Sequence, residues 1–130
     1  MSFMRRNVIL VTTFAFFTGC SDPVQPTSSS SIPMPAHSET VDPHVWKFLQ
    51  RTAVEVQADR SDPKLWVVHG SVLFANGYYP ESADALGKAI SINREMPQAT
   101  YVMATALWRA NKQEEAIDAL KLALEIAPQY

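Results

Sequence analysis

The stretch from Pro63 to Pro128 says the same thing twice. Displaced by 34 positions, it meets identical residues at Pro63/Pro97, Val68/Val102, Leu73/Leu107, Glu81/Glu115, Asp84/Asp118, Ala85/Ala119, Leu86/Leu120, Ala89/Ala123 and Ile92/Ile126. Gly70/Ala104, Phe74/Trp108 and Ile90/Leu124 add conservative pairs, and the register holds without an insertion. A fixed period of this size marks a stacked array, in which each unit buries its apolar face only against its neighbours. That one feature constrains the fold more than any property of the composition.

Each copy divides into two helical segments around a turn. The first pair is expected from about Pro63 to Asn76 and from Pro80 to Asn93, turning at Gly77-Tyr78-Tyr79; the second runs from about Pro97 to Ala110 and from Glu114 to Ala127, turning at Asn111-Lys112-Gln113. The pattern resembles the tetratricopeptide repeat (TPR) family, whose unit is a helix–turn–helix of this length. Trp66 stands where that repeat favours Trp, Gly70 at its close-packing small position, Leu73 at a large core position and Tyr79 at the turn aromatic. Ala89, Ile90 and Ile92 continue the match; the second copy supplies Ala104, Leu107, Ala116, Leu120, Ala123, Ile126 and the closing Pro128. Three positions depart from it: Thr100 replaces the signature Trp, Ser82 a small Ala, and Arg94 the closing Pro. The resemblance implies an all-α fold, a right-handed stack of two units (63–96 and 97–130).

Ahead of the repeats, Asp42 can cap a helix and Pro43 suits its first turn. Val45, Phe48, Leu49, Thr52, Ala53 and Val56 then recur at helical spacing. This helix, Pro43–Ala58, fits the repeat register poorly and is expected to cap the open face of the first unit, so that residues 41–130 form one domain.

Residues 1–20 read as a processing segment. Arg5-Arg6 supply a positive start, Val8 to Phe17 an apolar run broken by Thr12 and Thr13, and small residues lead into Cys20. The run falls short of the roughly 20 apolar residues that span a bilayer. Phe17-Thr18-Gly19-Cys20 resembles a bacterial lipobox, although Phe stands where that motif usually has Leu. The resemblance implies lipidation at Cys20, with more than one acyl chain holding the protein to a membrane. Ser21 follows where an Asp would resemble an inner-membrane retention signal, which points to the outer membrane. Residues 21–40, rich in Ser and Pro and without apolar period, read as a disordered tether; at about 5–6 Å times the square root of its length it would reach roughly 25 Å.

The composition argues against several functions. With 11 basic and 13 acidic residues the net charge is -2 over 130 residues, and no basic footprint for nucleic acid exists. Cys20 is the lone cysteine, so no intramolecular disulfide and no cysteine metal site can form. His37, His44 and His69 lack the i, i+4 spacing of a helical metal site, and His69 occupies a core-type repeat position. A packed core histidine is the plainer reading of it. No phosphate loop or nucleophile elbow is present, so neither enzyme nor metal carrier is favoured and no cofactor is implied.

Binding is the remaining class. In the TPR family the first helices of successive units line a groove. Carried over, those positions are Lys64, Val67, Ser71, Phe74 and Ala75 in the first copy, with Gln98, Tyr101, Thr105, Trp108 and Arg109 in the second. Phe74, Tyr101 and Trp108 would form an aromatic strip of the residue types that anchor interfaces. A carboxylate-clamp mode is disfavoured because Val67, Val68 and Ser71 replace its Lys/Asn set. The last helix carries a second surface. Glu114, Asp118, Lys121 and Glu125 make one polar stripe and the rest is apolar, so Ile117, Leu120 and Leu124 are expected to meet a second copy or a partner protein. The resulting expectation is a lipid-anchored, periplasm-facing interaction module that assists assembly of an envelope, pilus or secretion complex. The Asp62-to-Gly70 stretch is also similar to TPR modules of cytochrome c maturation that bind apocytochrome, which stands as the alternative.

Overall fold

The computed structural model describes residues 31–129, and over that range the chain is all-helical. Five α-helices follow a 3-10 turn at Ser38–Thr40: α1 Pro43–Ala58, α2 Pro63–Ala75, α3 Tyr79–Ile92, α4 Pro97–Arg109 and α5 Gln113–Ile126. Helices α2 and α3 pack as one antiparallel hairpin, α4 and α5 as the next; α4 joins the two through α3, and α1 closes on α2. The helical repeat stack implied by the sequence is the observed architecture.

Local chemistry sets the helix ends. Asp42 Oδ1 accepts from the backbone N–H of His44 at 2.8 Å and of Val45 at 3.3 Å, and Asp62 Oδ1 accepts from Lys64 N at 2.8 Å. Each side chain satisfies donors that the first helical turn leaves orphaned, and a proline follows each cap. The hairpin turns repeat as faithfully as the helices. Gly77 (φ 82°) and Asn111 (φ 61°) both adopt the left-handed conformation. At the first turn Tyr78 N donates to Leu73 O at 3.0 Å and Gly77 N to Phe74 O at 3.1 Å; at the second, Lys112 N donates to Leu107 O at 2.9 Å and Asn111 N to Trp108 O at 3.1 Å. These are two Schellman caps, built on the residue types that best tolerate that conformation.

Two apolar clusters run through the stack. The first joins Leu49 and Val56 of α1, Trp66 and Leu73 of α2, and Ala85 and Ala89 of α3. The second is built largely from alanine: Ala83, Ala104, Ala106, Ala116 and Ala119 surround Leu107. Small residues let the helix backbones approach, and Gly70 marks one such close approach. A Cβ placed on it would lie 2.8 Å from Leu86 Cγ, and the Ser82 hydroxyl donates to the Gly70 carbonyl at 2.7 Å across the same contact. The departure from Ala at position 82 is therefore a buried hydrogen bond between α2 and α3. Thr100 is likewise buried, its hydroxyl turned back onto Met96 O at 2.9 Å, and Arg94 reaches Glu125 at 3.5 Å.

Residues 31–40 differ from the expected tether. Ile32 and Met34 pack against the first cluster, Pro35 is buried, and Val41 is 6% exposed. Ile32, Met34 and Pro35 thus turn inward from this segment, and its composition of Ser and Pro masked that packing. The remainder of the expected tether, the processing segment and Cys20 lie outside the described residues.

Candidate functional site

His69 shows how the extended segment is held. The ring is fully buried, with Nε2 2.7 Å from Pro33 O and Nδ1 2.7 Å from the Thr52 hydroxyl. A carbonyl only accepts, so Nε2 carries the hydrogen, and in the neutral ring Nδ1 accepts from Thr52. Burial pushes the His69 pKa below its ordinary value, against the weaker opposing pull of the Pro33 carbonyl. Both ring nitrogens have a partner, so the arrangement ties α1, α2 and the N-terminal segment together. Among the described residues no group of three or more His, Cys, Asp or Glu side chains could hold a metal ion, and no helix is long and apolar enough to cross a membrane.

The groove positions separate into two sets. On the first hairpin, Lys64 and Ser71 are exposed, but Val67 packs against the first core cluster. Phe74 is half-buried and meets Tyr79 edge-on, with ring centroids 5.5 Å apart at 66°. The Arg109 guanidinium lies over the other ring of that pair, 5.8 Å from the Tyr79 centroid. Phe74 therefore belongs to a contact within and between the hairpins rather than to an open strip.

On the second hairpin the rings are open. Tyr101 is 61% exposed and Trp108 57%. They do not face a separate groove from the last helix. Tyr101, Thr105 and Trp108 line a hollow of ≈ 220 Å³ together with Ala104, Ala116 and Leu120. Beyond Tyr101 it continues into a groove of ≈ 550 Å³ between α4 and α5, whose walls include Pro97, Val102, Leu120, Ala123 and Leu124, with Gln98 at its edge. The aromatic positions of α4 and the aliphatic face of α5, which the sequence presented as two surfaces, form one continuous apolar face. Leu124 within this face and Ile117 on the same helix are both exposed. The shared membership of Tyr101 and Leu120 was within reach of the sequence: the 34-residue shift places them opposite Val67 and Leu86 of the first copy, on helices that pack together.

Residues 97–130, which make up this hairpin, match the family model described as Tetratricopeptide repeat. Over these residues the chain is similar to a tetratricopeptide repeat. The match supports a TPR protein, and with it a module of the kind that mediates protein–protein contact. No curated protein matches the chain.

Proposed function

We propose that this TPR protein is an interaction module of the bacterial cell envelope, lipid-anchored through Cys20, facing the periplasm from the outer membrane and assisting assembly of an envelope, pilus or secretion complex. The observation that carries the interaction role is the α4/α5 face: Tyr101, Trp108, Ile117, Leu120 and Leu124 are all exposed on one hairpin. A contiguous apolar surface of this kind marks a contact site on a protein. The anchor rests on the lipobox-like run ending at Cys20 and the apolar stretch before it.

Photo-crosslinking in intact cells tests the reading. A crosslinking residue at Trp108 should capture an envelope protein that one placed at Val54, exposed on α1, does not. Equal capture from both positions, or none, would remove the interaction role. The anchor is tested separately: Cys20→Ser should shift the protein from the membrane to the soluble fraction and abolish the acylated N-terminal peptide in mass spectra.

A further inference from the structure

The stack itself shows what fits the α4/α5 face. On the first hairpin the equivalent face is covered, because α4 packs on α3 and touches α2. The effect on burial is large. Leu86 is 0% exposed where its counterpart Leu120 is 38%, and Ala83 is 7% exposed where Ile117 is 46%. The covering element is a helix of 13 residues that buries Ala99 and Leu107 on one side, with Met103 between them packed into the second cluster. This is an apolar row at i, i+4 and i+8, the ridge that a helix lays into the groove between two others.

Charge narrows the identity of an occupant further. Helix α5 carries four acids, Glu114, Glu115, Asp118 and Glu125, against the single base Lys121. At helical spacing Glu114 and Glu125 lie outside Ile117 and Leu124, beyond Lys121, and Asp118 follows at the far margin, where it also lines a hollow with Ala83 and Asp84 of α3. Their partners, Lys121 for Asp118 at 3.7 Å and Arg94 for Glu125 at 3.5 Å, form exposed pairs that contribute little and can be exchanged. On the α4 side the edge is nearly uncharged, with Gln98 and Thr105 ahead of Arg109. In a second copy laid face to face, a two-fold contact would set each acidic α5 edge against either the other α5 edge or an α4 edge whose one base is Arg109.

We propose that the α4/α5 face receives a basic amphipathic helix from another polypeptide, which packs on α4 and α5 as α4 packs on α2 and α3. Its apolar row enters the groove between Tyr101 and Leu124, and its Lys or Arg residues lie along Glu114, Asp118 and Glu125. The proposal rests on the interaction role given above and adds the class of partner.

The test uses the full chain in nanodiscs of zwitterionic lipid and two fluorescent helical peptides of 18 residues. Both carry Leu at i, i+4 and i+8; one is flanked by Lys and the other by Glu. Anisotropy, corrected with empty nanodiscs, should show the Lys peptide binding at least tenfold more tightly than the Glu peptide at low salt, with the difference shrinking as salt rises. Leu124→Lys should abolish binding while the helical circular dichroism is unchanged, since Leu124 is exposed. A Glu114→Lys/Asp118→Lys/Glu125→Lys variant should reverse the preference. Equal binding of both peptides, binding that survives Leu124→Lys, or no binding would overturn the proposal. So would a dimer that Leu124→Lys dissociates, which would assign the face to a second copy. Crosslinking from Trp108 in cells separates the two levels: a captured protein with no sensitivity to the charge reversal retains the interaction role and rejects the basic helix.

Discussion

Two glycines on neighbouring helices should respond in opposite directions to the same substitution. In Gly70→Ala the new methyl would lie 2.8 Å from Leu86 Cγ, 3.1 Å from Leu86 Cδ2 and 3.3 Å from Ala85 Cβ. Leu86 is fully buried and cannot swing outward, and the Ser82 hydrogen bond to the Gly70 carbonyl holds α3 against α2. Overpacking of this kind costs about 1–3 kcal/mol, while alanine recovers up to about 1 kcal/mol in helix propensity. With that gain taken in full, the net is a loss of up to about 2 kcal/mol. In Gly87→Ala the nearest atom would be Met103 Sδ at 3.7 Å, an ordinary contact, so only the propensity gain remains. For a domain of this size each kcal/mol moves Tm by about 4–8 °C. Thermal unfolding followed at 222 nm should therefore place Gly70→Ala below the parent protein and Gly87→Ala several degrees above it. Equal stabilisation by both would refute the reasoning, because it would mean that the α2–α3 spacing adjusts freely.

Other substitutions probe the caps and the buried histidine. Asp62→Ala removes the α2 cap and should cost about 1 kcal/mol in guanidinium unfolding; a change below about 0.5 kcal/mol, the low end for such caps, would show that Pro63 alone sets the helix start. Thr52→Val deletes the donor to His69 Nδ1 and should cost about 1–3 kcal/mol through an unpaired buried acceptor, with the histidine ring 15N shifts reporting the altered environment. Burial lowers the folded pKa of His69, so the unfolded chain takes up its proton first as pH falls. Stability should be level above the ordinary histidine value of about 6.5 and decline below it, by at most about 1.4 kcal/mol per pH unit from this one group, until the folded protein also binds the proton. His69→Leu, if it folds, should flatten that part of the profile.

Much of the fold was legible in the residues because it is periodic. The 34-residue shift, the cap Asp42, and the turn residues Gly77 and Asn111 act over one or two helical turns, and each leaves a local mark. The contacts that escaped are those between segments with no common period. Nothing local in Pro33 says that its carbonyl will meet His69, 36 positions away, and the Ser and Pro around it masked the seating of Ile32 and Met34. Phe74 looked like Trp108 in the shifted alignment, yet it packs against Tyr79 and the second cluster, whereas Trp108 is exposed. Position within the stack, rather than residue type, decides which aromatic is free. The same reasoning united the two surfaces that the sequence kept apart, since helices α4 and α5 present adjoining faces only once the hairpin has closed.

The attachment of the N-terminal segment has a mechanical consequence. Any pull on the chain upstream of residue 31 reaches the stack first through the seated Ile32 and Met34 side chains and the hydrogen bond from His69 to Pro33. That bond enters α2, in the middle of the first hairpin, before the force can reach the start of α1. The terminal helix, which would otherwise be the first element to peel away, is thereby taken out of the load path, and the hairpins beyond α2 carry their apolar face undisturbed by strain on the chain that precedes them.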